Sequence, residues 1–240
     1  MQNAEQIFQN FINFPGFPFK HGITTTNAGD FYYQNENKHL DFLEIMGKNT
    51  LARVVPQHGD EIVEIKNLSS KLNYYLCDAI IWSGAGNTSQ DPILVCPTAD
   101  CPILTISNKK LSILAIIHSG RASTESKIVP QVIEMLKRKY DIPPQKLHIG
   151  LWPGICSGCY TVDEESAQNF LAKTINGEGI IYLNLEQEIR NQLLDQNIPP
   201  NNISGLEYCS AHSVGEDGEF IFYSYRRNET PERNLIWISL

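Results

Sequence analysis

The chain is organised around the stretch Pro92-Ile93-Leu94-Val95-Cys96-Pro97-Thr98-Ala99-Asp100-Cys101-Pro102-Ile103-Leu104-Thr105-Ile106, in which two apolar runs flank a polar break. Both runs are short and largely β-branched, which is typical of buried strands. Asp100 and Cys101 then lie in a tight break between two strand ends. Breaks of this kind often carry reactive groups, so the stretch predicts both a strand pair and the place where the chain does its chemistry.

Two histidines occur in the same setting as Cys101. His58 follows the apolar run Leu51 to Val55, and His118 ends the apolar run Ile113 to Ile117. A turn signal comes after each of them. Two imidazoles and one thiolate are the protein ligands of a zinc site that keeps its fourth position for water or substrate. His58, Cys101 and His118 are therefore our predicted metal ligands.

Size and composition favour one globular domain over residues 1–240. The chain has 240 residues and 42% apolar content, and neither a Pro/Gly/Ser-rich linker nor a block of like charge divides it. The pattern contains more strands than helices, and several neighbouring strands look hairpin-joined. We therefore expect an α+β fold of mixed β-sheets flanked by helices.

Charge and cysteine usage narrow the function classes. A formal net charge of −8 argues against nucleic acid as a partner, because phosphate neutralisation needs clustered Lys and Arg. The chain has no apolar run of about 20 residues, and its start lacks a secretory signal pattern, so we expect a cytoplasmic protein that does not enter membranes. Its six cysteines should then be free thiols or ligands rather than disulfides. We also expect a monomer.

Periodicity predicts further elements, which the structure can test individually. Helices are expected at residues 5–11, 37–46, 125–140 and 185–196, and another that Asp163 caps and that runs to about Lys173. The run Glu61 to Ile65 is interpreted as the hairpin partner of Leu51 to Val55. The end of the chain is expected to hold strands at residues 219–224 and 235–238.

Three other patterns allow more than one interpretation. The glycine-containing residues 83–87 form a turn or, less simply, a phosphate cradle. Cys156-Ser157-Gly158-Cys159 has the spacing of a redox pair or half a zinc site, yet we identify no second ligand pair at matching spacing. Arg226-Arg227 could bind an anion or pair with internal carboxylates.

Segments along nearly the whole chain resemble the laccase-domain, YfiH-like family of purine nucleoside phosphorylases, formerly described as multicopper polyphenol oxidases. Thr98-Ala99-Asp100-Cys101 matches the family's T-A-D-C, and Phe222 to Arg227 resembles its F-F-S-Y-R-R. The other similar segments are Gln57 to Val63, Cys77 to Ile81, Ala115 to Gly120 and Gly154 to Val162. The segments occur in the family's order.

The resemblance implies a layered α-β-β-α domain with zinc on His58, Cys101 and His118. It also implies phosphorolysis of adenosine, inosine and methylthioadenosine, with adenosine deamination as a related activity and with purine nucleoside and phosphate as partners. Asp100 and Arg121 are our candidate catalytic residues. This chain departs from the family's H-A-G-W-R-G, because Arg121 comes one position early, and from its H-G-F-S-T-R, because Thr26 replaces the arginine.

The same residues support several mechanisms. Asp100 could assist departure of the base or hold a ligand histidine in position. A metal-free cysteine hydrolase would instead use Cys101 as nucleophile and His58 or His118 as its base. A divergent, non-catalytic nucleoside-binding protein is a further alternative. Copper is less favoured than zinc, since one set of two histidines and a cysteine does not supply the several coppers of a laccase.

Overall fold

Two six-stranded mixed sheets face each other in the computed structural model, which describes residues 11–32, 34–84, 91–108, 110 and 113–240. The first sheet has the order β1-β2-β15-β7-β3-β5, and β3 runs parallel to both of its neighbours. Its strands are β1 (Phe11–Ile12), β2 (Lys20–Thr24), β3 (Leu51–Val55), β5 (Leu72–Leu76), β7 (Ile93–Thr98) and β15 (Asn234–Ser239).

The second sheet has the order β14-β10-β8-β9-β6-β4, in which β10, β8, β9 and β6 are antiparallel neighbours. Its strands are β4 (Ile62–Ile65), β6 (Ala79–Trp82), β8 (Ile103–Asn108), β9 (Ile113–His118), β10 (His148–Leu151) and β14 (Ile203–Gly205). A small third sheet holds β11 (Thr161–Val162), β13 (Ile181–Leu183) and β12 (Lys173–Ile175).

Helices cover the outer faces of the two large sheets. The α-helices are α1 (Glu36–Ile45), α2 (Arg121–Glu125), α3 (Ile128–Tyr140), α4 (Glu164–Ala167), α5 (Leu185–Asp195) and α6 (Tyr225–Asn228). Phe42 and Leu43 of α1 pack on the first sheet, and apolar side chains of α3 and α5 pack on the second. The face between the sheets forms its own core, with Leu94 of β7 and Ile116 of β9 among its members. The predicted α-β-β-α layering is therefore confirmed.

The central stretch carries the chain from one sheet to the other. β7 belongs to the first sheet and β8 to the second, so the break at Asp100 and Cys101 is a crossing between sheets. Every residue of both strands is buried, which explains their largely apolar sequence. The crossing fixes the thiol at the edge where the two layers meet.

Several local predictions were wrong. Ile62–Ile65 is a parallel partner of β6 in the second sheet and not the hairpin partner of β3. Residues 219–224 form only an isolated bridge at Phe220. The helix after Asp163 ends at Ala167, although Asp163 does cap it by accepting a bond from the Ser166 amide.

The predicted helix over residues 125–140 is divided between α2 and α3. Lys127 takes a left-handed conformation (φ 61°) at the break. Restarting the helix at Ile128 puts Pro130 in the first turn, where its missing N–H costs no helical bond. Two predicted features, residues 5–10 of the first helix and residues 85–87 of the glycine loop, lie outside the described part of the chain. None of the described helices is long and apolar enough to cross a lipid bilayer.

Candidate metal centre

The strand order brings His58, Cys101 and His118 to one edge of the sandwich. β3 and β7 are parallel neighbours, so the residues that follow them, His58 and Cys101, leave the first sheet on the same side. In the second sheet Ile103, which begins β8, pairs with His118, which ends β9. The two sheets therefore deliver the three side chains to one point.

Their donor atoms are close enough to share one cation. One ligand atom from each of the three residues lies within 4.8 Å of the others. The imidazole rings are nearly perpendicular, with centroids 5.2 Å apart. A tetrahedral zinc ion with bonds of about 2.0–2.3 Å has ligand atoms about 3.3–3.8 Å apart, a spacing that lies within the 4.8 Å limit. His118 is buried, Cys101 is half-buried and His58 is exposed, so the fourth position would face solvent.

A fully buried carboxylate, Asp78, holds two of the three predicted ligands in place. Its Oδ1 lies 2.9 Å from Nδ1 of His118, which leaves Nε2 of that ring for a metal. The same side chain accepts hydrogen bonds from the backbone amides of His58 (3.0 Å) and Gly59 (2.8 Å). Asp78 therefore fixes both the orientation of His118 and the path of the loop that carries His58.

The two imidazoles differ in protonation. Burial alone would lower the pKa of His118, but Cys101 and Asp78 outweigh it and raise that pKa to about 9. At His58, desolvation and the neighbouring His118 lower the pKa. His58 is therefore neutral and ready to coordinate at neutral pH, whereas a cation must displace a proton from His118.

Two residues of the site adopt strained backbone conformations. His58 has φ 59° and Asp100 has φ 79°, in the left-handed region that residues with a Cβ seldom occupy. The surrounding bonds hold these conformations, for example the 2.8 Å bond from Thr98 Oγ1 to the carbonyl of Cys101. Strain of this kind concentrates at functional sites.

A cavity of about 510 Å³ opens beside the three donors. Its wall combines three tyrosines with three arginines: Tyr32, Tyr160, Tyr225, Arg53, Arg226 and Arg233. The volume lies within the range of small-molecule sites, and such a wall offers aromatic faces together with cationic donors. A larger depression of about 720 Å³ follows the outer face of α3, and none of the residues that line it is a cysteine or histidine.

The arginines of the cavity are held in place by neighbouring groups. Arg53 is buried in β3, and its Nη1 lies 2.8 Å from Nε2 of His39. Burial and the Arg53 charge lower the pKa of His39 to about 4, so a neutral ring accepts this bond. Arg233 Nη1 donates to three carbonyls of its own loop, those of Thr230, Pro231 and Glu232. Their positions are thus fixed before any ligand binds.

Arg226 and Arg227, which were predicted to bind an anion or to pair with carboxylates, make different contacts. Arg226 lines the cavity, and its guanidinium lies 4.9 Å from the ring centre of Tyr160. Arg227 instead donates to the carbonyls of Ser210, Ala211 and Phe222. Arg226 thus lines the cavity while its Nη1 donates to the carbonyl of Thr161 (2.8 Å), and Arg227 joins two loops.

Asp100 and Arg121 lie at different distances from the cavity. Asp100 lines it, but one carboxylate oxygen accepts from Ser210 Oγ (2.6 Å) and the other from the Arg226 amide (2.6 Å). Arg121 begins α2, pairs with Glu125 at 3.3 Å and is not part of the cavity wall. The carboxylate that contacts a ligand histidine is Asp78.

Sequence reasoning left Asp78, Arg53 and Tyr160 without a role. Arg53 could have been identified from the sequence, because it is the one charged residue in the apolar strand Leu51–Val55. An arginine is seldom buried unless it has a partner. Asp78 offered a weaker one, an aspartate directly before the fully buried strand Ala79–Trp82. Tyr160 had none, since its place in the cavity depends on the path of an irregular loop.

Comparison with known proteins places the chain in a family. A sequence model of the family described as multi-copper polyphenol oxidoreductase laccase matches residues 22–239. A purine nucleoside phosphorylase of Clostridium acetobutylicum is 30% identical over 162 residues, which are 65% of this chain and 66% of that protein. An adenosine deaminase from an unknown prokaryotic organism is 25% identical over 122 residues, 47% of this chain and 46% of that protein.

These alignments span two thirds or less of the relatives' own length. The fold match is more complete: the crystal structure of YlmD from Geobacillus stearothermophilus superposes with a TM-score of 0.80 at 20% identity and covers 100% of this chain and 97% of that one. The superposition shows a shared fold, and the family model's match to residues 22–239 shows the family. This chain is a divergent member of the YfiH-like, multi-copper polyphenol oxidoreductase laccase family.

Proposed function

We propose that this protein is a zinc-dependent purine nucleoside phosphorylase that acts on adenosine, inosine and methylthioadenosine. The observation that carries the proposal is the convergence of His58, Cys101 and His118 at a cavity lined by tyrosines and arginines. The name of the Clostridium relative supports the same reaction class. When bound, zinc supplies a Lewis acid that polarises a substrate oxygen.

Phosphorolysis needs an anion site next to a nucleoside site. The phosphate oxygen attacks C1′ of the ribose, the bond from C1′ to the purine nitrogen breaks, and the base leaves with the electron pair and takes up a proton. Arg53, Arg226 and Arg233 offer the planar, permanently charged donors that bind phosphate well. Tyr160 and Tyr225 offer apolar faces for the base.

Asp100 acts as a positioning residue in this proposal, because both of its oxygens already have partners. Arg121 stays a proposed catalytic residue, although it does not line the cavity and its side chain pairs with Glu125. Burial and Cys101 raise the pKa of Tyr160, and the charges of Arg121 and Arg226 oppose that rise. The missing arginine at Thr26 is compatible with phosphorolysis, since Thr26 instead donates to the carbonyl of Phe220 and three other arginines line the cavity.

Adenosine deamination is the second activity that we assign to the same site, because one relative carries the name adenosine deaminase. It differs from phosphorolysis in both the nucleophile and the carbon attacked: water adds at C6 of the adenine ring, the bond from C6 to the amino nitrogen breaks, and ammonia leaves to give inosine. The same cavity could accept adenosine for both reactions.

Incubation of adenosine with protein purified without chelator tests the proposal. We expect free adenine only when phosphate is supplied and inosine with or without it. A Cys101→Ser variant should lose both products. A wild-type protein that binds adenosine yet forms neither product would contradict the proposal and favour the non-catalytic alternative.

Removal of zinc by a chelator distinguishes the metal enzyme from a cysteine hydrolase that uses the same residues. The hydrolase predicts full activity in protein dialysed against a strong chelator and inactivation by alkylation of Cys101. The metal enzyme predicts activity that is lost on dialysis and returns with added zinc.

A further inference from the structure

A second cluster of metal-ligating side chains lies outside the cavity. Cys156 and Cys159 follow β10, Cys209 and His212 follow β14, and one ligand atom from each lies within 4.8 Å of the others. Nδ1 of His212 is 3.2 Å from the sulfur of Cys159 and 3.7 Å from that of Cys156. The prediction that Cys156-x-x-Cys159 has no partner pair was therefore wrong, because Cys209-x-x-His212 repeats its spacing.

We propose that Cys156, Cys159, Cys209 and His212 bind a second zinc ion in a closed, structural site. Three thiolates and one imidazole make a complete tetrahedral ligand set, so no position remains for substrate. Bonds of about 2.3 Å to sulfur and 2.0–2.1 Å to nitrogen require ligand atoms about 3.5–3.8 Å apart. The distance of 3.7 Å from His212 to Cys156 lies in this range, and that of 3.2 Å to Cys159 is slightly shorter. Binding releases the protons that the three thiols carry.

Two backbone amides point at the sulfur of Cys209, which suits a metal-bound thiolate at that position. The amides of Cys156 and Ala211 lie 3.2 Å and 3.4 Å from its sulfur and donate to it. Cys209 is buried, Cys156 and Cys159 are half-buried, and His212 is exposed, so the ion would lie near the surface with one ligand toward solvent. All six cysteines of the chain lie in the described part, and none forms a disulfide.

The second site would join two loops that support the cavity. Ser210, which lies between two of the ligands, donates to Asp100 from its hydroxyl and to the carbonyl of Gly154 from its amide (3.0 Å). The amide of Ile155 donates to the carbonyl of Asp100 (2.8 Å). A zinc ion here would therefore fix the side chain and the carbonyl of Asp100 through Ser210 and Ile155. The ion itself would lie outside the cavity. The inference does not depend on the proposed enzyme activity.

Zinc stoichiometry tests this site separately from the first. Protein purified without chelator should contain two zinc ions per chain by elemental analysis. Cys159→Ser and Cys101→Ser should each contain one, and the double variant none. Cys77→Ala removes a cysteine that belongs to neither cluster and should keep two. One zinc ion in wild type that Cys101→Ser alone removes would overturn the second site but leave the first intact.

Two further measurements test the second site even if a cysteine variant fails to fold. His212→Gln changes an exposed ligand of the second site. This variant should lose zinc from that site at a chelator concentration at which wild type keeps both zinc ions. In folded wild type, maleimide should not label Cys156 or Cys159 until that zinc is removed. A disulfide between these two cysteines in freshly purified protein, or iron with equimolar sulfide in place of zinc, would overturn the proposal.

Discussion

Asp78 is the residue on which the orientation of the first site depends, because one carboxylate serves both the His118 ring and the amides of the His58 loop. Burial raises its pKa, but the hydrogen bonds from His118 and from the amides keep that pKa below its usual value. We expect Asp78→Asn to weaken zinc binding at the first site about 10- to 100-fold, measured by chelator competition. The control Asp195→Asn, at an exposed helix end, should bind zinc like wild type. Equal zinc affinity in the two variants would contradict the orienting role of Asp78.

Gly120 lies where a side chain would enter the metal centre. A Cβ built there would be 2.9 Å from the Cys101 sulfur and 3.0 Å from Cε1 of His118. The His118 ring cannot move away easily, since it is fixed by Asp78. We expect Gly120→Ala to lose zinc from the first site and with it most of the activity, as measured by elemental analysis and by adenine release. Gly177→Ala, with open space around the new methyl, should change neither.

At the scale of elements, sequence patterns predict strands better than they predict partners. β7, β8 and β9 are recognisable because both faces of each are buried, so apolar residues are continuous. The pattern of Ile62–Ile65 is that of a strand, but whether it joins β3 or β6 depends on side chains far away in sequence. The same limit applies to the sites: the residues before and after a strand can be read off the chain, whereas their convergence depends on the strand order.

Glu64 joins the edge strand β4 to α3 and makes this contact sensitive to acid. It accepts hydrogen bonds from Lys139 and Tyr140 of the helix and from Ser83 Oγ at 3.0 Å. Desolvation raises its pKa, but these bonds outweigh it and lower the pKa from 4.5 to about 2. The contact is therefore fully stabilising above the unfolded pKa and is lost as the pH falls from about 4.5 toward about 2.

We expect Glu64→Gln to lower the urea midpoint of unfolding slightly at pH 7, with a difference from wild type that narrows below about pH 4. Much of the effect should be screened by solvent, since Lys139 is on the surface. Glu134→Gln is the matched control, because Glu134 lies on the same helix and pairs only loosely with Lys137, at 3.8 Å. A difference between Glu64→Gln and wild type that grows in acid would contradict this assignment.

At the scale of the whole molecule, the first site bridges the two sheets. His58 and Cys101 leave the first sheet, His118 ends a strand of the second, and one core fills the space between them. A cation bound to all three therefore favours the closed sandwich over any state in which the sheets separate. Binding to the folded form alone stabilises it by mass action.

We accordingly expect zinc to shift the unfolding of the whole sandwich. Above the dissociation constant of a site, each tenfold rise in free zinc should add about 1.4 kcal/mol to the free energy of unfolding for that site. Calorimetry in zinc buffers measures this as a rising Tm, and both sheets should unfold in one transition because they share a core. Cys101→Ser should lose the part of the rise that the first site contributes and keep the part from the second. A Tm of wild type that does not change with free zinc would mean that neither cluster binds the ion in the folded protein.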